Sequence, residues 1–305
     1  MTESCITYKK SDINAKCENG NTALIRAVID GDLEAIKKLL DQGADIKAKG
    51  KDGKTALIWA AKRGNAEILD LFLHRGADKE IDHAYIILAT TYTRKRNHDR
   101  AIEYYLKSLK IKLDKLGSDH PDEATIYNSI AWNYERKWDY GAAIEYYLKS
   151  LKIELDKLGP DHPDMAESYN KIAWLCQKNG DYDQAIDYYF KDLKIRLAKL
   201  DLDDPNLARI YKNIGRAYAR KGDHGRAIEY LQKSLDIFLN GRRPYHREAA
   251  KIYNNLGILY ARKGDHDRAG DCYQKSLYLF LAERGPDLRD IETVQNNINR
   301  LRKKR

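Results

Sequence analysis

The segment Ala-Ile-Glu-Tyr-Tyr-Leu-Lys-Ser-Leu-Lys-Ile occupies residues 101–111 and occurs again, unchanged, at residues 143–153. The two copies begin 42 residues apart, and the same spacing continues on both sides of them. It separates five tyrosines: Tyr85, Tyr127, Tyr169, Tyr211 and Tyr253. It also separates five aliphatic residues: Leu88, Ile130, Ile172, Ile214 and Leu256. Self-similarity at a fixed period of this length predicts a repeat protein.

Each 42-residue unit has the pattern of two helices joined by a short turn. Small residues recur in both helices: Ala89, Ala131, Ala173, Gly215 and Gly257 in the first, and Ala101, Ala143, Ala185, Ala227 and Ala269 in the second. Between them stand Gly180-Asp181, Gly222-Asp223 and Gly264-Asp265, with Arg96-Asn97 and Trp138-Asp139 as variants. Small residues allow two helices to approach closely, so the pattern predicts stacked helix pairs.

These units resemble the tetratricopeptide repeat (TPR). The ending Lys-Leu-Gly, followed by Asp-His-Pro-Asp at 119–122 and 161–164, is similar to repeats of the kinesin light chain family. The resemblance implies five TPR units over residues 83–288. The hinge sequence differs at 203–206 and 245–248, which read Asp-Asp-Pro-Asn and Tyr-His-Arg-Glu. Residues 289–305 continue the register and are expected to form a capping helix and a basic tail.

A second spacing, of 33 residues, occurs near the amino terminus. Gly20-Asn21-Thr22-Ala23-Leu24 returns as Gly53-Lys54-Thr55-Ala56-Leu57, and Gly43-Ala44-Asp45 returns as Gly76-Ala77-Asp78. This pattern resembles the ankyrin repeat. It predicts ankyrin repeats over residues 1–82, with a partial unit at 1–16 and complete units at 17–50 and 51–82.

No linker separates the two kinds of repeat, since no run of Pro, Ser or Gly stands near residue 83. The predicted fold is therefore all-α. We expect a right-handed α-solenoid in which a short ankyrin stack continues into five TPR helix pairs and ends in a capping helix.

The formal net charge is +9, and all of it lies in residues 85–305. Five positive charges fall in residues 300–305, a contact for acidic partners or a solvated end. No stretch approaches the ~20 apolar residues that a membrane-spanning helix requires. The opening Met-Thr-Glu-Ser-Cys-Ile-Thr-Tyr-Lys-Lys has no apolar signal core. We expect a cytoplasmic protein, and the charged cap helix favours a monomer.

The sequence lacks the glycine-rich phosphate loops, zinc motifs and nucleophile elbows that mark common catalytic sites. Most histidines recur at hinges or turns because the repeat recurs. The four cysteines have no paired spacing, and Cys176 occupies a position where other units have Tyr, so it is expected in the core. The prediction is a non-enzymatic protein with no cofactor, no metal and no small-molecule substrate.

Binding surfaces of stacked repeats lie on their first helices, beside the core positions. The neighbouring stripe of the first unit carries Ile86, Thr90 and Arg94. The stripes of the next four units are Asn128, Trp132 and Arg136; Asn170, Trp174 and Lys178; Lys212, Arg216 and Arg220; and Asn254, Ile258 and Arg262. The resemblance to kinesin light chain repeats implies that the asparagines hold the backbone of an extended peptide.

The same stripe suggests the chemistry of the ligand. Trp and Arg are the residues that most often dominate binding energy, and a basic row speeds association with acidic partners. Trp59 of the ankyrin segment is expected on the same side. We therefore predict an adaptor for acidic or aromatic-acidic peptide segments. The alternative interpretation is that the tryptophans pack between helices and that the basic row is a solvated edge.

Two other functions remain open at this level. The basic second half could bind nucleic acid or an anionic membrane surface, although its basic residues alternate with nearly as many acidic ones and no nucleic-acid motif is present. The chain could also regulate an enzyme carried on another protein.

Overall fold

The computed structural model describes residues 12–77, 80–116, 120–241, 245–282 and 288–303. Within these ranges the chain forms fifteen helices and no strand. The ankyrin segment contributes α1 (Ala23–Asp30), α2 (Leu33–Asp41), α3 (Ala56–Arg63) and α4 (Ala66–His74). The TPR segment contributes α5 (Ile81–Arg94), α6 (His98–Leu116), α7 (Pro121–Arg136), α8 (Tyr140–Leu158), α9 (Met165–Asn179), α10 (Tyr182–Leu197), α11 (Pro205–Lys221), α12 (His224–Asn240), α13 (His246–Arg262) and α14 (His266–Leu281), and α15 (Leu288–Arg302) follows. The all-α repeat fold is as predicted.

The chain divides into two compact units, Met1–Ile153 and Glu154–Arg305. The division falls inside α8, well beyond residue 83, where the repeat type was predicted to change. In the first unit, α5 packs directly on α3 of the ankyrin segment. The hydroxyl of Tyr92 donates a hydrogen bond to the Gly64 carbonyl, and that of Thr91 donates to the Ala61 carbonyl. Ankyrin and TPR helices therefore share one core in this unit.

The helix ends follow from local sequence. Thr22, Asp32, Thr55 and Asn65 cap the four ankyrin helices, because each side-chain oxygen accepts a bond from a backbone N–H of the first turn. At the predicted hinge, Pro121 begins α7 and His120 forms a capping box with Glu123. The second hinge behaves differently, since Pro163 lies in a turn and α9 begins at Met165. Residues 117–119 of the first hinge lie outside the described residues, as do Cys5, most of the partial ankyrin unit and the last two residues of the basic tail.

Tyrosines fill the interior of the helix pairs. In the first pair, the ring of Tyr104 stacks on Tyr85 at 5.8 Å and on Tyr92 at 5.7 Å between centroids. The fourth pair repeats this arrangement, with Tyr230 stacked on Tyr211 and Tyr218. Cys176 is fully buried at the position of the missing tyrosine in the third pair, as its register predicts. The recurring tyrosines are thus structural residues.

A buried serine fastens the second helix of four pairs to the start of the first. The hydroxyls of Ser108, Ser150, Ser234 and Ser276 donate to the carbonyls of Asp82, Ala124, Ala208 and Ala250, at 2.6–3.2 Å. The third pair has Asp192 at this position, fully buried.

The helix α15 closes the second unit. Its Ile291, Val294 and Leu301 are buried in a cluster with Tyr273 and Phe280 of α14. This is the predicted capping helix, and it covers apolar surface that the last pair would otherwise expose. None of the helices in the described ranges is both long and apolar enough to span a membrane.

Candidate functional site

Every tryptophan on the predicted binding surface lies close to basic side chains of its own helix or of the turn before it. In the ankyrin segment, Trp59 is half-buried on α3. The Nζ atoms of Lys54 and Lys62 lie 5.3 and 5.9 Å from the centroid of its ring. Both distances are within the range of a cation–π interaction. Trp59 was predicted from the sequence, and these two lysines were not.

The second tryptophan of the first unit, Trp132 on α7, is 38% exposed. The guanidinium carbon of Arg136 lies 5.2 Å from its ring centroid. The ring of His98, at the start of α6, meets the indole edge-on at 5.9 Å. Trp132 thus presents part of its surface to solvent beside an exposed arginine. This degree of exposure disfavours the interpretation that Trp132 is purely a packing residue.

A buried asparagine fixes the helix that carries Trp132. The Oδ1 of Asn133 accepts hydrogen bonds from Thr93 and from the Nδ1 of His98, at 3.2 and 2.9 Å, and its Nδ2 donates to the Ser129 carbonyl at 2.8 Å. Because it bonds residues of three helices, Asn133 holds the His98 ring against Trp132. Sequence reasoning missed this residue. The signal was available, since the three later units carry the apolar residues Leu175, Ala217 and Leu259 in its register and the first carries Thr91.

Trp174 is the corresponding residue of the second unit, on α9. Lys171 and Lys178 place their Nζ atoms 5.5 and 5.4 Å from its ring centroid. The two lysines stand three residues before and four residues after Trp174, so all three share one face of the helix. Lys178 was predicted from the sequence, and Lys171 was not.

The predicted asparagines make internal contacts. The Nδ2 of Asn170 donates to the carboxylate of Asp192 at 2.6 Å. The Oδ1 of Asn254 accepts from Asn297 of α15 at 2.9 Å. Asn128, on α7 of the first unit, is half-buried and also has a partner within the chain. These amides are therefore oriented by the protein before any ligand arrives.

The carboxylate of Asp192 has no direct contact with solvent, and it accepts a second bond from the Nε of Arg196 at 2.6 Å. Burial raises the pKa of this carboxyl above its ordinary value, and the Arg196 and Asn170 donors oppose the rise. The buried Asp192 carboxylate therefore fixes the side-chain orientation of Asn170, a residue of the predicted binding surface.

Three of the predicted residues line a cleft of about 230 Å³ in the second unit: Lys212, Arg216 and Asn254. Lys251, Asn255, Phe280, Asp290, Thr293 and Val294 complete its walls. The Nζ of Lys212 forms an ion pair with Glu248 at 2.5 Å, so its charge is largely compensated. Arg216 is exposed and makes no ion pair with any residue in the described ranges. Arg216 is thus the cation of this cleft that is available to an anionic ligand.

The remaining predicted cations are exposed near the ends of first helices. Arg220 lies in the last turn of α11 and Arg262 in the last turn of α13. Basic residues at these positions interact favourably with the helix dipole, and they remain accessible.

Two hinge histidines and two cysteines have structural surroundings. His120 and His162 accept backbone N–H bonds at the hinges. Burial raises the pKa of the Cys176 and Cys272 thiols to about 11, so both stay protonated near neutral pH.

Trp138 behaves unlike the other three tryptophans. It is 77% exposed, its φ is 64°, and it lies at the turn where three other units have glycine. Its one ring contact among the described residues is with Tyr140, at 6.2 Å. Local packing therefore does not account for this residue.

The family comparisons agree with both kinds of repeat. A model of ankyrin repeats, with three copies, matches residues 2–83. A tetratricopeptide repeat model matches residues 80–155, 139–198 and 193–240, and another matches residues 250–280. No curated protein sequence matches the chain.

Solved structures with TPR-like repeats share this fold. BtubC (BKLC) from P. vanneervenii is 23% identical, with a TM-score of 0.53, over 77% of this chain and 96% of that one. A Podosopora anserina chain of the kinesin light chain type, with nearly identical TPR-like repeats, is 21% identical, with a TM-score of 0.53, over 65% of this chain and 93% of that one. At this level of identity the likeness concerns the fold alone.

Proposed function

Since the chain belongs to the tetratricopeptide repeat family and carries ankyrin repeats ahead of those repeats, we propose that it is a non-catalytic adaptor for extended acidic or aromatic-acidic peptide segments of partner proteins. Both kinds of repeat are protein-interaction scaffolds. The peptide is proposed to bind along the first helices, where the predicted stripe lies.

The observation that carries this proposal is the cleft of the second unit. Arg216 is exposed there without an ion pair among the described residues, and the amide of Asn254 is held in place beside it by Asn297. A preformed amide can bond a peptide backbone, and an arginine can bind a carboxylate through two parallel hydrogen bonds. Lys251 lines the same wall, but its Nζ lies 3.7 Å from the Glu248 carboxylate, so Arg216 is the main cation for an acidic ligand. An acidic side chain of an extended peptide fits this arrangement.

The basic residues around Trp132 and Trp174 support the same ligand chemistry. A cation over an indole ring loses rotational freedom before binding, so it meets an incoming carboxylate in a more favourable position than a freely moving lysine.

The test is a binding screen with labelled peptides of about 12 residues, which reach about 40 Å when extended. The peptides vary in acidic and aromatic content, and fluorescence anisotropy reports binding at physiological salt. For the best binders, we expect Arg216→Glu to raise the dissociation constant at least about 10-fold, because it replaces attraction with repulsion. Trp132→Ala, measured in the same assay, tests the predicted stripe of the first unit.

Matched controls separate this surface from general electrostatics. Lys199→Glu makes the same charge change at an exposed residue beyond α10, and Trp138→Gly removes an exposed tryptophan away from the predicted stripe. Both should bind like the wild type, with circular dichroism confirming the fold of every variant. Equal losses for Arg216→Glu and Lys199→Glu would reject the groove and favour binding to anionic surfaces in general.

A further inference from the structure

The ankyrin tryptophan lies in a concentration of positive charge that its neighbours do not neutralise. Lys54, before α3, and Lys62, in the last turn of α3, point at the Trp59 ring from opposite ends of the helix. Arg94, at the end of α5, is close enough to act on Lys62. Two lysines thus contact one indole ring, and Arg94 of the first TPR helix interacts electrostatically with one of them.

The positive charges around Trp59 outnumber the negative charges that pair with them. Lys54 lies 3.3 Å from Asp52, a contact that is more than half exposed on the aspartate side. Within residues 12–77 and 80–116, neither Lys62 nor Arg94 forms an ion pair. Partial desolvation and the adjacent ammonium group of Lys54 lower the pKa of Lys62; Asp52 opposes this shift, and Arg94 adds to it. The group therefore carries about two uncompensated positive charges whose mutual repulsion an anion would relieve.

We propose that Lys54, Trp59, Lys62 and Arg94 form a binding site for a phosphoryl group, so that phosphorylation of the partner segment strengthens its binding. This inference rests on the proposed peptide-binding function. It assigns the ankyrin repeats of the first unit a different ligand group from the carboxylate proposed for the cleft around Arg216 in the second unit.

Charge and geometry both favour a phosphoryl group over a carboxylate here. A phosphate monoester carries about −1.5 to −2 charges at pH 7 and three strong acceptor oxygens, whereas a carboxylate carries one charge and two oxygens. The ammonium groups of Lys54 and Lys62 both lie by the Trp59 ring and can donate to different oxygens of one phosphoryl group, and Arg94 adds positive charge beside Lys62. A single carboxylate would leave about one positive charge without a counterpart.

The test uses defined probes on the full-length protein. The indole N–H signals of the four tryptophans are followed by NMR, with Trp59→Phe to assign the relevant signal. Three probes are titrated: acetyl-Gly-phosphoserine-Gly-amide, the same peptide with aspartate, and inorganic phosphate. The Trp59 signal should shift saturably, with a dissociation constant about 10-fold lower for phosphoserine than for aspartate, the factor expected for one additional charge-assisted hydrogen bond.

Lys62→Gln and Arg94→Gln should each weaken phosphoserine binding, whereas Lys110→Gln, an exposed lysine on α6, should not. Unchanged signals of Trp132 and Trp174 would show that the variants remain folded. The proposal is overturned by equal affinity for the aspartate peptide, by unchanged binding in both glutamine variants, or by the absence of a Trp59 shift. Equally tight binding of inorganic phosphate would retain the phosphoryl site and assign it to the free ion.

The two proposals fail separately. Loss of this site would leave the effect of Arg216→Glu on acidic peptides untouched, because the residues tested belong to different compact units and different probes are used.

Discussion

Replacing Asp192 with serine should stabilise the protein, although the change removes two short hydrogen bonds. The other four pairs have serine in this register, and each serine hydroxyl donates to the carbonyl found 26 residues earlier. An ionised carboxylate cannot donate, and Asp192 instead accepts bonds from Asn170 and Arg196. Asp192→Ser restores the hydroxyl donor, and Ala166 supplies the corresponding carbonyl.

The magnitude follows from three contributions. A serine–carbonyl hydrogen bond stabilises by about 1 kcal/mol. Removing a buried carboxylate from its ion pair is neutral to favourable, by up to about 4 kcal/mol, when the partner can return to water. Arg196 is 28% exposed and Asn170 is half-buried, so both can regain water in part. We therefore expect a net gain of about 1 kcal/mol, or about 2–4 °C in melting temperature for a unit of this size.

The gain should depend on pH in a defined direction. The pKa of Asp192 is raised in the folded state above its ordinary value of 3.8, so the folded protein binds this proton more readily than the unfolded chain. The carboxylate thus destabilises the wild type fully at neutral pH. Its disadvantage relative to Asp192→Ser should shrink as the pH falls through the raised pKa toward 3.8.

Urea denaturation followed by circular dichroism at pH 7.5, 6, 5 and 4 measures this difference. Ser276→Asp is the converse control, because it buries a carboxylate in the fifth pair, where Phe280 stands in place of Arg196. Only Asn254, in the register of Asn170, can donate there, so we expect a destabilisation of about 3 kcal/mol from a buried charge without its arginine. A serine variant that is less stable than the wild type at pH 7.5, or a difference independent of pH, would refute the reasoning.

Two further substitutions test local backbone and packing. Trp138→Gly should raise stability by about 0.5–1 kcal/mol in thermal denaturation. The left-handed conformation strains any residue with a Cβ, and removal of the exposed indole loses little packing. A lower melting temperature would show that the indole contributes more than its exposure suggests. Gly257→Ala should lower stability by about 1–2 kcal/mol although alanine has the better helix propensity, because the new Cβ would lie 2.6 Å from Cε1 of the buried Tyr273. Unchanged stability in the same assay would mean that this ring can move.

The 42-residue register carried most of the fold prediction. It located both helices of every pair, the core position of Cys176 and the capping helix, because each depends on residues that recur at a fixed spacing. The same register also marks Asp192 as the exception among four serines, and this signal was available before the structure. The hinge at Pro163 departed from the pattern, since an identical motif at Pro121 begins a helix.

The candidate site was less accessible to sequence reasoning. The stripe identified which residues share the first-helix surface, but the partners of those residues lie on other helices. Asn170 bonds Asp192, 22 residues later, and Asn254 bonds Asn297, 43 residues later. Such pairs depend on the packing of two helices, which the period alone does not give. The ion pair of Lys212 with Glu248 has the same origin.

These contacts bear on which part of an aromatic-acidic ligand dominates binding. Trp59, Trp132 and Trp174 each have a cation of the protein within 5.2–5.5 Å of the ring centroid. An aromatic ligand residue would gain the ring face only by displacing a cation–π contact worth about 0.5–1 kcal/mol at exposed sites. An acidic group meets the same cations without displacing them, and the indole holds them in place. The acidic component of the ligand should therefore outweigh the aromatic one, with the tryptophans acting mainly as supports for the lysines and for Arg136.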